Sequence, residues 1–126
     1  VITSFGYLHL RERHPRADLV VDVREHLRDP HVDPGMRVLT GLDPTVVSKV
    51  LTTPGAPGLI DALVHAAGAL LPAACRAGRL VTIAIGCAGG RHRSVVIAAT
   101  VAERLTHAGW GAEAEHLHLG MPVVDR

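Results

Sequence analysis

The sequence predicts one small α/β domain, residues 1–126, whose sheet has about four strands in mainly parallel or mixed order, with helices packed on it. Residues 80–85 are apolar, β-branched or small, as in a strand buried on both faces of a parallel sheet. A glycine-rich turn follows this strand, and a helical pattern then begins near Ser94. At 126 residues, the chain is long enough for one domain with a core and too short for two ordinary domains.

Composition narrows the class of protein. Hydrophobic residues make up 48% of the chain, which excludes disorder, and a net charge of +1 does not by itself indicate a nucleic-acid or membrane surface. The few aromatic residues, Phe5, Tyr7 and Trp110, are fewer than base stacking usually requires. We expect no membrane span and no export signal. Cys75 and Cys87 have no secretory context, so we expect reduced thiols and a cytoplasmic protein.

The first third of the chain predicts two strands and a long loop. In order, the elements are a strand over 1–6, a loop over 7–17, a strand over 18–23 and a loop over 24–43. Asp22 lies near the carboxyl end of the second strand, the edge of an open α/β sheet at which ligands bind. The long loop follows no regular period and is rich in hydrogen-bonding side chains, so we expect it to fold over the functional site.

The rest of the chain predicts three helices and two strands. Asp43-Pro44 is typical of a helix start, with an N-cap carboxylate and proline in the first position. A longer helix begins near Pro57 and ends at Gly78, and Pro72 should kink it. The central strand comes next, followed by a helix from Ser94 to Gly109 and a last strand over about 112–119.

The turn between the central strand and the last helix predicts an anion pocket. It combines glycines with basic side chains, at Gly86, Gly89, Gly90, Arg91, His92 and Arg93. A strand, a tight turn and a helix N-terminus leave several backbone N–H groups directed at one place, which the helix dipole makes favourable to an anion. Arginine adds paired donors that suit phosphate. Asp22 and Arg24 are expected at the same edge of the sheet.

The same turn fits a second chemistry. Cys87, Arg93 and Ser94 satisfy Cys-x5-Arg-Ser, the pattern of cysteine-dependent phosphatases, in which a thiolate attacks phosphorus and the arginine braces the phosphate. A thiol near a helix N-terminus and beside basic groups is a candidate nucleophile. Gly86 occupies the place where those enzymes usually carry a histidine. Cys87 is equally typical of a small buried residue at a strand end, so both interpretations stay open.

Metal binding is the weakest of the site hypotheses. His116 and His118 alternate along the last predicted strand, but an isolated His-x-His lacks the number of ligands that a zinc site needs. We therefore predict no metal and no cofactor.

Five stretches also resemble a known family. They are Ser4-Phe5-Gly6, Asp22-Val23-Arg24, Asp29-Pro30-His31, Thr40-Gly41-Leu42-Asp43 and the long segment over 83–95. They occur in the order seen in the C-terminal domain of the RNase adapter protein RapZ. The resemblance implies a phosphosugar sensor, for glucosamine-6-phosphate in the best-known members, with a fold similar to a phosphofructokinase subdomain. Those members also bind small RNAs, form oligomers and recruit an RNase.

The resemblance also implies roles for individual residues. The phosphate is expected on Ala88, Gly89, Gly90, His92 and Arg93, and the sugar on Asp22 and His31. Combined with the loop chemistry, the predicted ligand-binding residues are Asp22, Arg24, His31, Cys87, Ala88, Gly89, Gly90, Arg91, His92, Arg93 and Ser94.

Two departures from the family pattern shape the prediction. No nucleotide P-loop, Gly-x4-Gly-Lys-Ser/Thr, occurs in the chain, and its last residues carry no basic tail to help hold RNA. We therefore expect a stand-alone domain. The resemblance implies a homo-oligomer and favours a binding module over an enzyme. The expected partners of the chain are a phosphorylated small molecule and, from the resemblance alone, RNA and a regulatory protein, with no membrane partner.

Overall fold

Four parallel strands form one sheet in the order β2-β3-β1-β4. The computed structural model describes residues 1–10 and 15–124. The strands are β1 (Ile2–Gly6), β2 (Leu19–Asp22), β3 (Ile83–Cys87) and β4 (Ala114–His116). Gly6 pairs with Cys87 and Asp22 pairs with Gly86. Because all pairs are parallel, the four carboxyl ends lie along one edge of the sheet.

The helices form a layer on one face of this sheet. They are α1 (Pro44–Leu51), α2 (Ala56–Arg76) and α3 (Arg93–His107). The crossovers from β2 to β3 and from β3 to β4 move in the same direction across the sheet, so right-handed connections place their helices on the same face. Contacts of α3 with α1, α2, β1 and β3 close the core between the two layers. The predicted α/β class with a four-stranded, parallel sheet is confirmed.

The boundaries differ from the sequence-based expectations at several strands and one helix cap. The central strand, predicted over residues 80–85, is Ile83–Cys87, and Leu80 is exposed. The last strand ends at His116, because it pairs with β1 only over Ile2–Ser4. Asp43 does occupy the N-cap position of α1, but its carboxylate accepts a hydrogen bond from the Thr40 N–H at 2.8 Å instead of capping the helix. The second strand is also shorter than predicted, over Leu19–Asp22.

The two predicted loops contain short 3-10 helices. One lies over Tyr7–His9, and residues 11–14 of the same predicted loop lie outside the described residues. The other two lie over Pro30–Val32 and Pro34–Met36. Asp29 and Asp33 start these two turns, since each carboxylate accepts a backbone N–H two residues later. These two aspartates therefore shape the two turns of the long loop.

By length and composition alone, α2 is long and apolar enough to cross a membrane. This finding does not test the expectation of no membrane span, which stays a prediction. Ile60, Leu63 and Ala67 of this helix are buried in the core, and α2 packs against α3. One such helix carries no further conclusion.

Candidate functional site

The glycine loop, residues 88–92, joins β3 to α3 at the carboxyl edge of the sheet and lies directly against β1. A Cβ atom on Gly6 would lie 2.3 Å from the carbonyl carbon of Gly89, and one on Gly90 would lie 2.5 Å from the Gly6 nitrogen. Gly90 also has a φ of +69°, a conformation that other residues rarely adopt. The Leu8 N–H donates to the Ala88 carbonyl at 2.9 Å. Backbone-to-backbone contact thus sets the course of the loop.

Gly86 allows two aromatic rings to cover the end of β3. A Cβ atom at this position would lie 2.4 Å from Cζ of Phe5 and 2.5 Å from Cε2 of Tyr7. The two rings meet edge to face, with their centroids 4.8 Å apart. No side chain fits at Gly86, which accounts for the absence of the histidine that phosphatases carry there.

Asp22 and Arg24, which were expected at the carboxyl edge of the sheet, form an ion pair at the end of β2. Arg24 holds both carboxylate oxygens of Asp22, with its Nη2 2.7 Å from Oδ2, and its guanidinium lies 3.6 Å from the centre of the Tyr7 ring. The hydrogen bond from Arg24 keeps the pKa of Asp22 below its ordinary value. Both side chains are exposed. Asp22 is therefore an ionised carboxylate at the ligand edge of the sheet.

The glycine loop contains main-chain donors without a main-chain acceptor, and two of its residues, Gly89 and Gly90, are buried. In the described part of the chain, no backbone oxygen accepts a hydrogen bond from the amides of Gly89, Gly90 or Arg91. His92 occupies the N-cap position of the 15-residue helix α3, and its side chain caps none of the helix amides. The positive end of the helix dipole therefore coincides with a run of N–H groups that have no described backbone acceptor.

Arg93, the first residue of α3, is 1% exposed and lies inside the protein. Its Nη1 donates to the carbonyls of Val23, Arg24 and Leu27 at 3.2, 2.9 and 3.0 Å. Its Nη2 lies 3.2 Å from a carboxylate oxygen of Asp29. These contacts tie the start of the long loop to α3, so Arg93 has a structural task here, and its predicted contact with phosphate stays a prediction.

Arg91 and His92 hold the second half of the long loop. Arg91 donates from Nε to the Leu39 carbonyl at 2.9 Å and from Nη2 to the Val38 carbonyl at 2.5 Å. His92 Nε2 lies 2.8 Å from the carbonyl oxygens of Met36 and Leu39. Burial lowers the pKa of His92, although these carbonyls partly oppose the shift, so the neutral ring donates its Nε2 proton here.

One small cleft joins several predicted site residues. His31, Gly89, Arg91 and His92 line it, and its free volume of about 10 Å³ is room for roughly one water molecule, so a larger ligand group enters only when a wall moves. The structure therefore brings the long loop and the glycine loop together, as predicted, whereas Asp22 and Arg24 lie at the neighbouring strand end and do not line this cleft. Asp22 still pairs with Gly86, just before the glycine loop.

Cys87 and Ser94 face each other in the interior. The Cys87 Sγ lies 3.1 Å from the Ser94 Oγ, and the cysteine is 2% exposed. A thiol in this position is not presented to a substrate, and the arginine of the Cys-x5-Arg pattern is occupied by protein carbonyls. The phosphatase interpretation therefore receives no support, and Cys87 matches its alternative as a buried residue at a strand end.

The C-terminal segment contributes a wall that the sequence reasoning missed. Pro122, Val123 and Val124 line the same cleft as the glycine loop. His118 Nδ1 accepts a hydrogen bond from the Gly6 N–H at 2.8 Å, and His116 Nδ1 lies 2.6 Å from the Ser4 Oγ. The alternation of His116 and His118 along the last predicted strand was the sequence signal that could have indicated a role for this segment. Over residues 1–10 and 15–124, no group of three metal-ligating side chains could hold an ion.

A family model described as the RapZ C-terminal domain matches residues 1–120. The chain belongs to this family. It is 42% identical over 125 residues to a nucleotide-binding protein of Sphingopyxis alaskensis, covering 98% of this chain and 39% of the relative. Nucleotide-binding proteins of Rhodospirillum rubrum and Rhodospirillum centenum are 42% and 44% identical, over 94% of this chain and 36% and 35% of theirs. The chain thus spans less than two fifths of the length of these relatives.

In this RapZ C-terminal domain, the glycine loop lies at the carboxyl edge of the sheet. The loop offers main-chain donors, Asp22 offers a negative charge nearby, and the cleft is closed on its far side by the C-terminal segment. This combination suits a small molecule that carries an anionic group. The candidate nucleophile Cys87 is buried against Ser94 and is not exposed to this site.

Proposed function

We propose that this domain binds a phosphorylated amino sugar of the glucosamine-6-phosphate type and acts as a non-catalytic metabolite sensor. The observation that carries the proposal is the run of amides at Gly89, Gly90 and Arg91, which no described backbone oxygen accepts, at the N-terminus of α3. Membership of the RapZ C-terminal family supports the choice of ligand class.

The phosphate is held mainly by the main chain in this proposal. Each hydrogen bond from a backbone amide to a charged phosphate contributes about 1.5–3 kcal/mol, so the affinity depends on how many amides the ligand engages. Arg91 and Arg93 add positive charge while their guanidinium groups hold the surrounding loop in place. The arginines therefore act first by shaping the site.

The sugar is read by groups around the loop. Asp22 is ionised and exposed beside the end of β3, so it suits the ammonium group of an amino sugar. His31 lines the cleft next to Gly89 and suits a sugar hydroxyl. We therefore expect the phosphate group to provide most of the binding free energy, and the ammonium group to provide the selectivity for amino sugars over other sugar phosphates.

The wider biological role is proposed from the family. We infer a cytoplasmic, oligomeric regulator of amino-sugar or cell-envelope precursor metabolism, with an RNA and an RNase or another regulatory protein as partners. The relatives are named as nucleotide-binding proteins, and the chain matches only 39% of the Sphingopyxis protein. A gel shift with a structured small RNA at two salt concentrations tests the RNA partner, since phosphate contacts weaken steeply with salt.

Calorimetry with glucosamine-6-phosphate, glucosamine and glucose-6-phosphate tests the ligand. We expect binding of both phosphates, with the amino sugar phosphate tighter, and no binding of glucosamine. Asp22→Asn should weaken glucosamine-6-phosphate by about tenfold relative to glucose-6-phosphate, because it removes the charge-assisted bond to the ammonium, whereas the change in the charge around Arg24 acts on both ligands alike. Asp61→Asn, an exposed carboxylate of α2, is the matched control. Equal binding of glucosamine and its phosphate, or binding of neither, contradicts the proposal.

A further inference from the structure

Residues 117–124, here named the C-terminal strap, are fastened to β1 at two points. The Leu117 N–H donates to the Ser4 carbonyl at 3.0 Å, and the Gly6 N–H donates to His118 Nδ1 at 2.8 Å. A turn follows, closed by the Met121 N–H on the His118 carbonyl at 3.1 Å. The strap therefore changes direction at His118, at the carboxyl end of the sheet.

The turn directs the strap to the glycine loop. Pro122, Val123 and Val124 complete the lining of the cleft whose other walls are His31, Gly89, Arg91 and His92. The cleft has three walls, from the long loop, the glycine loop and the strap. The first two carry polar or basic groups, whereas the strap supplies apolar surface. An apolar wall that excludes water strengthens the bonds from amides to a charged ligand on the other side.

His118 can hold the strap only with an unprotonated Nδ1. Because the Gly6 amide donates to this nitrogen, the neutral ring carries its proton on Nε2. The ring of His9 lies near it, with centroids 5.3 Å apart, and burial together with His9 lowers the pKa of His118. The geometry and the ionisation state agree.

We propose that the C-terminal strap is the third wall of the phosphate cleft and that His118 is the positioning residue that keeps it there. Gly6 is the shared support, because Gly89 and Gly90 pack on its backbone while its amide holds His118. The inference rests on the proposed function for its ligand, but the fastening of the strap exists without ligand. Loss of the fastening opens the cleft and speeds ligand release.

Two substitutions separate the hydrogen bond from the size of the side chain. In His118→Asn the amide oxygen takes the place of Nδ1 and accepts from Gly6, whereas His118→Leu removes the acceptor. We expect His118→Leu to speed hydrogen exchange of the Gly6 amide by about tenfold in the ligand-free protein, which corresponds to one lost hydrogen bond. His118→Asn should stay within about threefold of wild type. His107→Leu, at the exposed C-terminal end of α3, is the matched control.

Ligand release is then measured with glucosamine-6-phosphate by stopped flow. We expect His118→Leu to raise the dissociation rate about tenfold with little change in the association rate, and His118→Asn to restore it. Val123→Ser, which alters the wall but not its fastening, should raise the dissociation rate and leave Gly6 exchange unchanged. This variant also serves if His118→Leu does not fold.

The outcomes distinguish the two proposals. If wild type binds no glucosamine-6-phosphate, the proposed function fails, while Gly6 exchange still decides whether His118 fastens the strap. The inference is overturned if His118→Asn exchanges as fast as His118→Leu. If wild type does bind glucosamine-6-phosphate, the inference is also overturned when Val123→Ser releases this ligand as slowly as wild type.

Discussion

Removing the guanidinium of Arg93 should destabilise the domain far more than removing a surface guanidinium of the same helix. The head group of Arg93 satisfies three backbone carbonyls and the carboxylate of Asp29 in the interior. Arg93→Met keeps most of the apolar stem and leaves these four acceptors without their donor. Taking one partner from a buried, hydrogen-bonded ion pair costs about 3–5 kcal/mol.

The control lies eleven positions along α3. Arg104 pairs with Asp61 at the surface, where its side chain is 45% exposed, and such pairs contribute about 0–1 kcal/mol. For a chain of 126 residues the entropy of unfolding is about 0.26 kcal/mol/K, so the loss of 3–5 kcal/mol lowers Tm by roughly 10–20 °C. Arg104→Met should lower Tm by at most about 4 °C.

Thermal and urea unfolding followed by circular dichroism, without ligand, measure both variants. A clamp that acts through the protein shows its full effect in the free domain, whereas an arginine reserved for phosphate shows its effect only in ligand affinity. Equal Tm values for Arg93→Met and Arg104→Met would refute the structural role. Phosphate recognition by Arg93 would then become the better interpretation of its place in the loop.

Three further outcomes follow from the fold. Gly90→Ala should cost at least about 2 kcal/mol in urea unfolding, because its φ is +69° and its Cβ would collide with the Gly6 nitrogen; a stability equal to wild type would contradict the close packing. Gly68→Ala, where a Cβ meets nothing within 4 Å in α2, should instead stabilise by about 0.5–1 kcal/mol. The free energy of unfolding should be highest above about pH 6.5 and fall on acidification below it. Burial lowers the pKa of His92, His116 and His118, so the unfolded chain binds more protons than the folded protein in this range. Tm measured from pH 8 to pH 5 tests this, and a flat profile would count against buried, neutral rings.

Local signals in the sequence predict the elements well. Pro44 starts α1, and Gly78 and Gly109 follow α2 and α3 with left-handed φ angles of +67° and +96°, as expected for residues that end helices. The apolar stretch before the glycine loop does contain a fully buried strand, but this strand begins at Ile83, three residues later than predicted. These features depend on neighbouring residues, so the pattern of the chain is enough to find them.

The direction in which a basic side chain points depends on distant residues and cannot be read from its neighbours. Arg91 and Arg93 stand beside a glycine turn, and the pattern alone favours an anion ligand for both. In the structure they meet carbonyls more than fifty positions away, from Val23 to Leu39, whose location is set by the path of the long loop. The strap was missed for a similar reason. The sequence pattern extends the last strand to about residue 119, whereas β4 pairs with β1 only over Ile2–Ser4, and the residues that follow turn away as the strap.

The seam between Gly6 and the Gly89–Gly90 turn has a consequence for how this protein can vary. Where two main chains touch with no side chain between them, a larger neighbour cannot be accommodated by choosing another rotamer. Adaptation at this edge must therefore proceed through the residues that surround the seam, such as Ala88 or the strap. A protein engineer who wishes to change the ligand should leave Gly6 and Gly90 unchanged and redesign the surrounding walls.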